Sequence, residues 1–559
     1  MKWLGGLAAI LVVLGVGVYA YRDALMLEFV GYMARQRTPV GPTVDIKWDK
    51  PDLATAPSRG EDRPPNIVLI VADDLGWNDL TFNGGGVAGG TVPTPHIDSI
   101  AADGVNFTNG YSANGTCAPS RAAIMSGRYP TRFGFEFTPT PPGMPQMISR
   151  ISRRSGPVQM ITRFDEVTEE LEYDALGMPA SEISLAETLQ GAGYHTVHIG
   201  KWHLGRTNGM APHDQGFNES LLMHSGLYLS EDDPTVVNSK QDFDPIDRFL
   251  WKALQHAASF NGGGAFKPRG YLTDYYTEEA VKVIDNNKDR PFFLYLAHWA
   301  PHTPLQATKE DYDALSHIDD HKLRVYAAMI RALDRGVGQV LAALKENGLE
   351  DNTLVMFTSD NGGAHYIDIP EVNEPFRGWK ITFFEGGIHV PFFMKWPQKI
   401  EPGTRVADPV HHFDLYATAA AAAGAALPSD RKMDGVDLVP FAPPSAAIAK
   451  GLGPSGPPHD KLFWRGGHYQ VVIADGWKLQ KADRPDKVWL FNMADDPTEQ
   501  NNLADQNPEK VAELLALLDA HNAEQMDPAW PAQLESPITI DKTLAEPFVD
   551  GDDYVYWPN

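Results

Sequence analysis

Cysteine is nearly absent from this chain of 559 residues, which contains Cys117 alone. An intrachain disulfide is therefore impossible, and a thiolate cluster that binds metal is excluded. Positive charge is also scarce, because 47 Lys and Arg residues stand against 73 Asp and Glu residues, a formal net charge of −26. We therefore expect no nucleic-acid partner, and an anionic substrate must be attracted by a local site rather than by the overall field.

Long apolar runs are rare too, and one stands at the N-terminus. Residues 3–21 are uncharged, and this length is close to the roughly 20 residues that span a bilayer. The run predicts an exported, periplasmic or otherwise extracytoplasmic protein that is anchored in the membrane. Cleavage after the small residues at 18–20 and a buried core helix are the alternatives. Residues 22–37 continue as an amphipathic stretch expected at the membrane surface, so that 1–37 form a predicted signal or anchor segment.

The chain then alternates between strand-like and helix-like patterns. Residues 38–65 contain six prolines, which predicts an extended linker. Continuous apolar runs follow, typical of strands buried on both faces of a parallel sheet. These runs lie at residues 66–72, 194–199, 291–297 and 353–358. Helical patterns separate them, including a capping box that begins at Ser184 and a long amphipathic helix over 322–345. We therefore predict an α/β fold with a large mixed, mostly parallel sheet sandwiched by helices.

The sequence changes character after about residue 440, where short alternating runs replace the long apolar ones. These runs predict a small antiparallel sheet. They lie at residues 462–465, 469–473, 477–480 and 488–491. A helix is expected over 508–525, and an irregular tail after residue 527. We therefore predict a catalytic domain at 66–440 and a smaller C-terminal domain of antiparallel sheet plus helix at 441–559.

Polar side chains follow each of the buried runs. Ligands of open α/β sheets bind beyond the carboxyl ends of the strands, so we expect these side chains at one rim. They are Asp73, Asp74, Lys201, His203, His298, His302, Asp360 and Asn361. Adjacent buried carboxylates are costly without a cation, and the acids together with Asn361 offer only oxygen ligands. This set favours a hard divalent ion, Ca²⁺ or Mg²⁺, over zinc, whereas a solvated turn is the alternative for each acidic pair.

The segment from Cys117 to Gly127 is the sharpest local signal. Pro119 suits the first turn of a helix and Gly127 suits its end, so Cys117 is expected at a helix N-terminus. Arg121 falls on the same helix face. A cysteine there should have a lowered pKa and act as a nucleophile, although a small buried apolar cysteine is the alternative. A soft thiolate is nevertheless a poor partner for a hard cation, and an oxygen nucleophile would remove this conflict.

Two segments resemble the signatures of the type I, formylglycine-dependent sulfatases of the alkaline phosphatase superfamily. Cys-Ala-Pro-Ser-Arg at 117–121, with Gly-Arg at 127–128, is similar to the first signature, and residues 193–205 are similar to the second. Further similar stretches lie at residues 72–76, 94–98, 359–362, 376–380, 385–388 and 490–503. The resemblance covers roughly residues 66–525 and implies an arylsulfatase-like hydrolase of aryl or carbohydrate sulfates.

The resemblance also implies the cofactors and the nucleophile. A formylglycine-generating maturation enzyme would convert Cys117 to Cα-formylglycine, whose hydrate attacks the sulfate and gives a covalent sulfo-enzyme intermediate. The metal would be Ca²⁺, with Mg²⁺ as the alternative. Its implied ligands are Asp73, Asp74, Asp360, Asn361 and the modified Cys117.

The remaining roles follow from the same resemblance. Arg121 would steady the formylglycine hydrate, while Lys201 and Lys380 would bind the sulfate oxygens. His203 would be the base that allows sulfate to leave the enzyme. His302 would protonate the departing alcohol, because it stands in the His-x-Pro context of the family.

Three further features of the sequence concern the acid, the family pattern and the surroundings of the site. His298 is the alternative candidate for the acid. His389 stands where many members of the family have arginine. Residues 135–180 resemble an insertion, which is either a solvated loop or a basic lid over the substrate.

Two other functions remain open beside the hydrolysis of sulfate esters. A phosphodiester or phosphonate monoester hydrolase of the same superfamily would keep the fold and the cation. A catalytically silent binder of sulfated glycans would not need the nucleophile. The expected partners are a small sulfate ester or a sulfated glycan, the maturation enzyme and, through the N-terminal segment, a membrane.

Overall fold

A computed structural model describes residues 22–51, 63–152, 158–165, 172–442, 454 and 456–559. The apolar run at 3–21, with its predicted anchor and possible cleavage site, lies outside these residues. Among the residues described, no helix combines the length and the apolar character needed to cross a bilayer. Export and membrane anchoring therefore stay predictions.

The described chain alternates strands and helices as the sequence predicts. The strands are β1 (Asn66–Asp73), β2 (Val105–Phe107), β3 (Gly110–Tyr111), β4 (Ile161–Thr162), β5 (His195–Gly200), β6 (Glu219–Gly226), β7 (Val236–Ser239), β8 (His256–Phe260), β9 (Phe292–Pro301), β10 (Leu305–Thr308), β11 (Thr353–Ser359), β12 (Phe392–Lys395), β13 (Thr404–Val406), β14 (Val410–His411), β15 (Lys461–Gly466), β16 (Tyr469–Ala474), β17 (Trp477–Asp483), β18 (Asp486–Asn492), β19 (Leu534–Thr539) and β20 (Tyr554–Pro558). The helices are α1 (22–37), α2 (Val87–Gly90), α3 (Pro95–Ala102), α4 (Cys117–Ser126), α5 (Met144–Ser152), α6 (Leu185–Gly191), α7 (Pro245–Ala253), α8 (Leu272–Asn287), α9 (Lys309–Ala314), α10 (His321–Glu346), α11 (Glu385–Ile388), α12 (Asp414–Ala422) and α13 (Pro508–Asn522).

A nine-stranded sheet forms the centre of the molecule, in the order β13-β2-β12-β11-β1-β9-β5-β6-β8. Strand β1 runs parallel to both β11 and β9, and β5 runs parallel to β9 and β6. Strand β12 is antiparallel to both of its neighbours, and β8 is antiparallel to β6. The sheet is thus mixed and mostly parallel, and helices cover both of its faces. The predicted fold class is confirmed.

The continuous apolar character of β1 follows from its place at the middle of the sheet. Val68 and Ile70 pack into the core on the side of α3, α8 and α10. Ile67 and Leu69 pack into the core on the side of α4, α6 and α12. Because successive side chains of a strand point to opposite faces, a strand that is covered on both faces is apolar at every position.

The elements expected from local signals occur close to their predicted bounds. The capping box at the start of α6 is present, since the Ser184 side chain accepts from the Glu187 backbone and Glu187 Oε2 accepts from the Ser184 backbone at 2.7 Å. The long amphipathic helix is α10. The buried apolar runs are β1, β5, β9 and β11, each of which extends by at least one residue toward the predicted rim.

The C-terminal region contains the predicted antiparallel sheet, β15 to β18 in sequential order. Helix α13 covers one face of this sheet, where Leu514 and Leu518 pack on Val472 and Leu479. The other face packs on the main body of the molecule, in a cluster that includes Phe384. The exact bounds proposed for the linker and the two domains stay predictions.

The prediction of an irregular tail after residue 527 is wrong. Strands β19 and β20 pair antiparallel in this tail, and β4 of the insertion joins them as a third strand. Ile538 and Val555 are buried in the cluster that joins the C-terminal sheet to the main body. Strand β4 is far from β19 in sequence, and the alternation in each of the three short segments was too weak to reveal the strands.

The amphipathic helix α1 packs on the folded chain along one side only. Leu27 is buried among Met147 of α5 and Phe249 of α7, in a small cluster apart from the main cores. Leu25 and Phe29 are 51 % and 61 % exposed on another side of the same helix. The stretch is therefore amphipathic, as predicted, and its packed side is bound to protein.

A buried ion network fastens the C-terminal sheet to the main body. Lys478 of β17 lies 2.7 Å from Glu385 of α11 and 2.9 Å from Glu499, and all three side chains are at most 1 % exposed. His389 Nδ1 lies 2.7 Å from the other oxygen of Glu385. One ammonium group thus balances two buried carboxylates across the junction of the two sheets.

We expect Lys478→Met to destabilise the protein by about 3–5 kcal/mol, because the methionine fills the space but removes the ammonium group that balances the buried carboxylates of Glu385 and Glu499. Lys481→Met is the matched control on the same strand, since Lys481 is 41 % exposed and lies 3.4 Å from Asp483. It should cost less than about 1 kcal/mol. Urea unfolding gives both free energies, and equal losses in the two variants would contradict the role of the network.

Candidate active site

The parallel strands bring their carboxyl ends together at one rim of the central sheet. Ala72 of β1 is in register with Ser359 of β11, so the acids that follow the two strands are neighbours. The backbone N–H of Asp74 donates to Asp360 Oδ1 at 3.2 Å. Asp74 has a φ of 62°, which turns the chain sharply after the strand. The predicted meeting of the two acidic pairs is therefore observed.

Arg121 of α4 lies fully buried between two of these carboxylates. Its Nη2 atom is 2.8 Å from Asp360 Oδ2 and 3.3 Å from Asp73 Oδ2. Lys201, which follows β5, lies 2.6 Å from the same Asp73 oxygen. Arg121 Nη1 also donates to the backbone carbonyl of Lys201 at 3.2 Å. Arg121 thus ties the start of α4 to the ends of β1, β5 and β11.

Asp74 is the centre of a second buried group. Lys380 Nζ donates to Asp74 Oδ2 at 2.8 Å, and the Tyr366 hydroxyl donates to the same oxygen at 3.0 Å. Asn361 Nδ2 donates to Asp74 Oδ1 at 2.8 Å. His302 Nε2 lies 3.6 Å from Asp74 Oδ2. The loop that holds Lys380 is thereby fixed against the end of β1.

Three carboxylates and three cations thus share one buried site. Burial and then the charge of Asp360 raise the pKa of Asp73 to about 7, although Lys201 and Arg121 act in the opposite direction. Burial also opposes ionisation of Asp74, but the neighbouring groups, with Lys380 foremost, lower the pKa of that carboxyl below its usual range. The two adjacent acids are therefore held in opposite electrostatic settings.

The buried oxygen atoms of this site fit a hard cation. Oδ1 of Asp73 and Oδ1 of Asn361 are buried and accept no hydrogen bond from any described residue, whereas Oδ2 of Asp73 is paired with Lys201 and Arg121. Ligand atoms of Asp73, Asp74, Cys117 and His302 lie within 4.8 Å of one another. Oxygen atoms without partners at this spacing are the ligand type that Ca²⁺ and Mg²⁺ take.

Cys117 begins helix α4, as predicted, and its side chain is buried. Its expected low pKa is wrong. Burial raises the pKa of the thiol to about 11, although Lys201 and Lys380 act in the opposite direction. The desolvation of the thiolate outweighs the nearby positive charge, so the unmodified thiol is a weak nucleophile here.

The two candidate histidines are both buried and neutral. Burial, together with the charge of Lys201, lowers the pKa of His203, whose Nε2 donates to the Pro139 carbonyl at 3.2 Å. Burial likewise lowers the pKa of His302, whose Nδ1 donates to the Thr303 carbonyl at 2.6 Å. The second ring nitrogen of each is left as a proton acceptor. For His302 this is Nε2, 3.3 Å from Lys380 Nζ.

His298, the alternative acid, has a different environment. Its two ring nitrogens are buried without a hydrogen-bond partner among the described residues, and burial lowers its pKa to about 4. His389, the departure from the family pattern, binds Glu385 and donates from Nε2 to the Thr108 carbonyl at 2.8 Å. It therefore belongs to the buried network below the Lys380 loop.

Two aromatic residues complete the site but were not predicted. Tyr366 bridges Asp74 and Lys380, with the Lys380 ammonium 3.0 Å from its hydroxyl. Trp299 stacks on His302 at 3.9 Å between ring centroids and lies 4.7 Å below the Lys201 ammonium. Trp299 lies between His298 and His302 in the segment predicted at the rim, so its place in the site could have been predicted from the sequence. Tyr366 follows Asn361 by five residues, and nothing local distinguished it from a core tyrosine.

A cavity of about 920 Å³ opens above these groups. Cys117, Lys201, His203, His302 and Lys380 all line it. The insertion contributes a stretch of its wall from Thr138 to Pro145, followed by Ile148. Two arginines of the insertion pair elsewhere, Arg150 with Asp23 and Arg163 with Glu535. Arg153 and Arg154 lie outside the described residues.

Comparisons with known proteins identify a family. A family described as Sulfatase matches residues 65–425. The "Uncharacterized sulfatase YdeN" of Escherichia coli (strain K12) is 32 % identical over 72 % of this chain and 68 % of its own length. Human N-acetylgalactosamine-6-sulfatase is 35 % identical over 68 % of this chain and 66 % of its own length. The chain thus spans about two thirds of the length of these curated relatives.

Among solved structures, that of Ps i-CgsB in complex with k-i-k-neocarrahexaose superposes with a TM-score of 0.67. The two chains are 31 % identical, and the match covers 84 % of this chain and 95 % of the other. The similarity therefore extends over the central sheet and into the C-terminal region.

Proposed function

The chain belongs to the sulfatase family, as its two signature segments predict, and we propose that it hydrolyses sulfate monoesters at the rim formed by β1, β5, β9 and β11. The observation that carries this proposal is the group of three cations, Arg121, Lys201 and Lys380, gathered around Cys117 at the start of α4. Preorganised positive charge in a buried site stabilises the charge that develops when a sulfate ester is cleaved.

The three cations have two tasks in this proposal. Lys201 and Lys380 both line the cavity, so their ammonium groups bind the sulfate oxygens. Arg121 is fully buried and paired with Asp73 and Asp360, so it orients the acids and the start of α4. We infer that Cys117 is converted to Cα-formylglycine, whose hydrate supplies the oxygen nucleophile. The raised pKa of the thiol is consistent with a nucleophile other than sulfur.

We further propose Ca²⁺ as the metal. Asp73, Asp74, Asp360 and Asn361 would hold it together with the modified Cys117, and the buried oxygens of Asp73 and Asn361 that accept no hydrogen bond support this set. A bound divalent cation supplies Lewis-acid stabilisation of negative charge. It would also offset the mutual repulsion of the three carboxylates.

The histidines divide the proton transfers. His302 lies against Lys380 and Asp74 and gives its proton to the departing alcohol. Since its ring is neutral in the free site, the imidazole must take up a proton from solvent when the substrate binds, because the negative charge of the sulfate ester raises its pKa. His203 lines the cavity on the other side, with Nε2 donating to Pro139 and Nδ1 free among the described residues to accept a proton.

The alcohol of the substrate is either an aryl group or a sugar. The names of the relatives include an arylsulfatase and an N-acetylgalactosamine-6-sulfatase, which supports both classes. Turnover of an aryl sulfate far above that of a phosphate diester or phosphonate monoester separates sulfate-ester hydrolysis from the phosphorus-based alternative. Absence of turnover with tight binding of sulfated sugars would favour the silent binder.

We also propose that the protein is exported and held at a membrane by its N-terminal segment. The uncharged run at 3–21 leads directly into α1, whose residues Leu25, Phe29 and Tyr32 are between 51 % and 61 % exposed. These positions follow a spacing of four and three residues, so they form one apolar stripe on the helix. Two chains can be sedimented with phospholipid vesicles, the full chain and a chain that begins at residue 22. The difference between them gives the contribution of residues 3–21 to membrane binding, and the shorter chain gives that of the stripe on α1.

Conversion of Cys117 is the first test of the mechanism. Protein from a host with a maturation enzyme should contain formylglycine at this position, as seen by mass spectrometry of the peptide. Cys117→Ala should fold normally but lose all measurable turnover of an aryl sulfate, because alanine has no nucleophile. An active preparation in which residue 117 is entirely free thiol would overturn the mechanism.

The metal is tested by Asp73→Asn, which keeps the shape of the side chain but removes its charge. We expect at least about a 10²-fold loss of calcium affinity, measured by titration calorimetry. Asp79→Asn is the matched control, because burial raises the pKa of Asp79 to about 8 and leaves that carboxyl neutral at pH 7. Unchanged calcium binding by Asp73→Asn would remove Asp73 from the ligand set.

The acid is tested by the dependence on the leaving group. His302→Ala should lower kcat/KM for a sugar sulfate by about 10²–10⁴-fold, since a sugar hydroxyl leaves poorly without a proton. A nitrophenyl sulfate should be affected far less, because the phenolate leaves as its anion. His298→Ala is the matched control and should not separate the two substrates. Equal losses on both substrates in His302→Ala would transfer the role to His298.

A further inference from the structure

The cavity above the site is much larger than the sulfate group needs, and its walls differ in character. The floor contains the charged groups Lys201 and Lys380 together with Cys117. Three helices outside the catalytic rim, α1, α5 and α7, also contribute to the same continuous cavity. Their lining residues include Phe29, Met33, Met144, Ile148, Phe249 and Leu250.

This set of six residues, here called the apolar wall, differs from a surface that binds sugar hydroxyls. Among the described residues that α1, α5 and α7 bring to the cavity, Arg37 alone is charged. Sugar hydroxyls that leave water need hydrogen-bond partners in the protein. The apolar wall offers few of them, whereas the exposed Phe29 and the half-buried Met33 offer apolar area for hydrocarbon to cover. The other four residues of the wall are at most 8 % exposed and form its packed base.

On another side of the cavity, Arg206 is already engaged with the protein. Arg206 lies 3.7 Å from Asp174 and donates to the His224 carbonyl at 3.0 Å. Tyr173 on this side lines the same cavity as Lys201 and Cys117, so this side adjoins the catalytic floor. Phe29, in contrast, is 61 % exposed and therefore stands at the cavity mouth. The cavity thus runs from a charged floor to an apolar mouth.

We propose that the apolar wall binds the hydrocarbon part of the alcohol, so that the substrates are sulfate monoesters of lipophilic alcohols. This inference rests on the proposed function, because that function places the sulfate group at Lys201 and Lys380 on the floor of the cavity. The ester is an amphiphile with its anionic head on Lys201 and Lys380 and its hydrocarbon along α1, α5 and α7. The apolar wall selects the alcohol, and the catalytic groups act on the sulfate.

A series of n-alkyl sulfonates from butyl to decyl tests this inference by binding alone. Their carbon–sulfur bond is not a sulfate ester, so titration calorimetry measures affinity without turnover. We expect one ligand per chain and a Kd that falls about two- to fourfold for each added methylene group, because each methylene group leaves water on the wall. A Kd that is independent of chain length, or tighter binding of galactose 6-sulfate than of decylsulfonate, would overturn the inference.

Two methionines of α1 provide a matched pair of variants. Met33 lines the cavity, whereas Met26 packs beside Leu27 and does not line it, and both are half-buried. Met33→Gln should raise the Kd of decylsulfonate at least about fivefold and leave butylsulfonate within about twofold. Met26→Gln should change neither Kd, and equal effects of the two substitutions would overturn the role of the wall.

The same series distinguishes this inference from the proposed function. If no sulfate ester is hydrolysed but the sulfonates bind with the expected dependence on chain length, the proposed activity fails and the wall remains. If nitrophenyl sulfate is hydrolysed but affinity for sulfonates does not rise with chain length, the proposed activity remains and the lipophilic substrate class is overturned.

Discussion

The burial of three carboxylates at the end of β1 and β11 is the constraint on which the rest of the structure depends. Asp73, Asp74 and Asp360 are all nearly or fully removed from water. Isolated charges in such a place are very costly, so each acid must be paired. The chain supplies Arg121 and Lys201 for this purpose from two other elements of the fold, and Lys380 completes the set from a loop.

This requirement explains why remote segments must be held accurately. The loop of Lys380 leads into α11, whose Glu385 binds Lys478 of the C-terminal sheet. A second buried set of charges therefore fixes the C-terminal sheet to the loop that closes the first. Because pairing of buried charges depends strongly on geometry, displacement of that sheet would expose or separate the cation that neutralises Asp74. The C-terminal region thus serves the site without lining its floor.

The parts of this structure that the sequence predicts are those with local causes. A strand that is covered on both faces must be apolar throughout. Pro119 and the residues around it are typical of a helix N-terminus. Tyr366 and the pairing of β4 with β19 depend on contacts between distant segments, which no local pattern records. The prediction of a low pKa for Cys117 was wrong for a related reason. The position of Cys117 at the start of a helix was predictable from the sequence, but the extent to which the fold removes its thiol from water was not.

The same cavity meets two demands that pull in opposite directions. Cleavage of a charged ester needs fixed cations and a neutral His302 that gains its proton when the anion arrives. Recognition of the alcohol needs contacts that do not compete for those cations. Assigning the second task to the helices α1, α5 and α7, which lie outside the rim, separates the two. Substitutions in these helices therefore change which alcohol fits while the paired charges around Asp73 and Asp74 stay as they are, because no described ion pair joins the two sets.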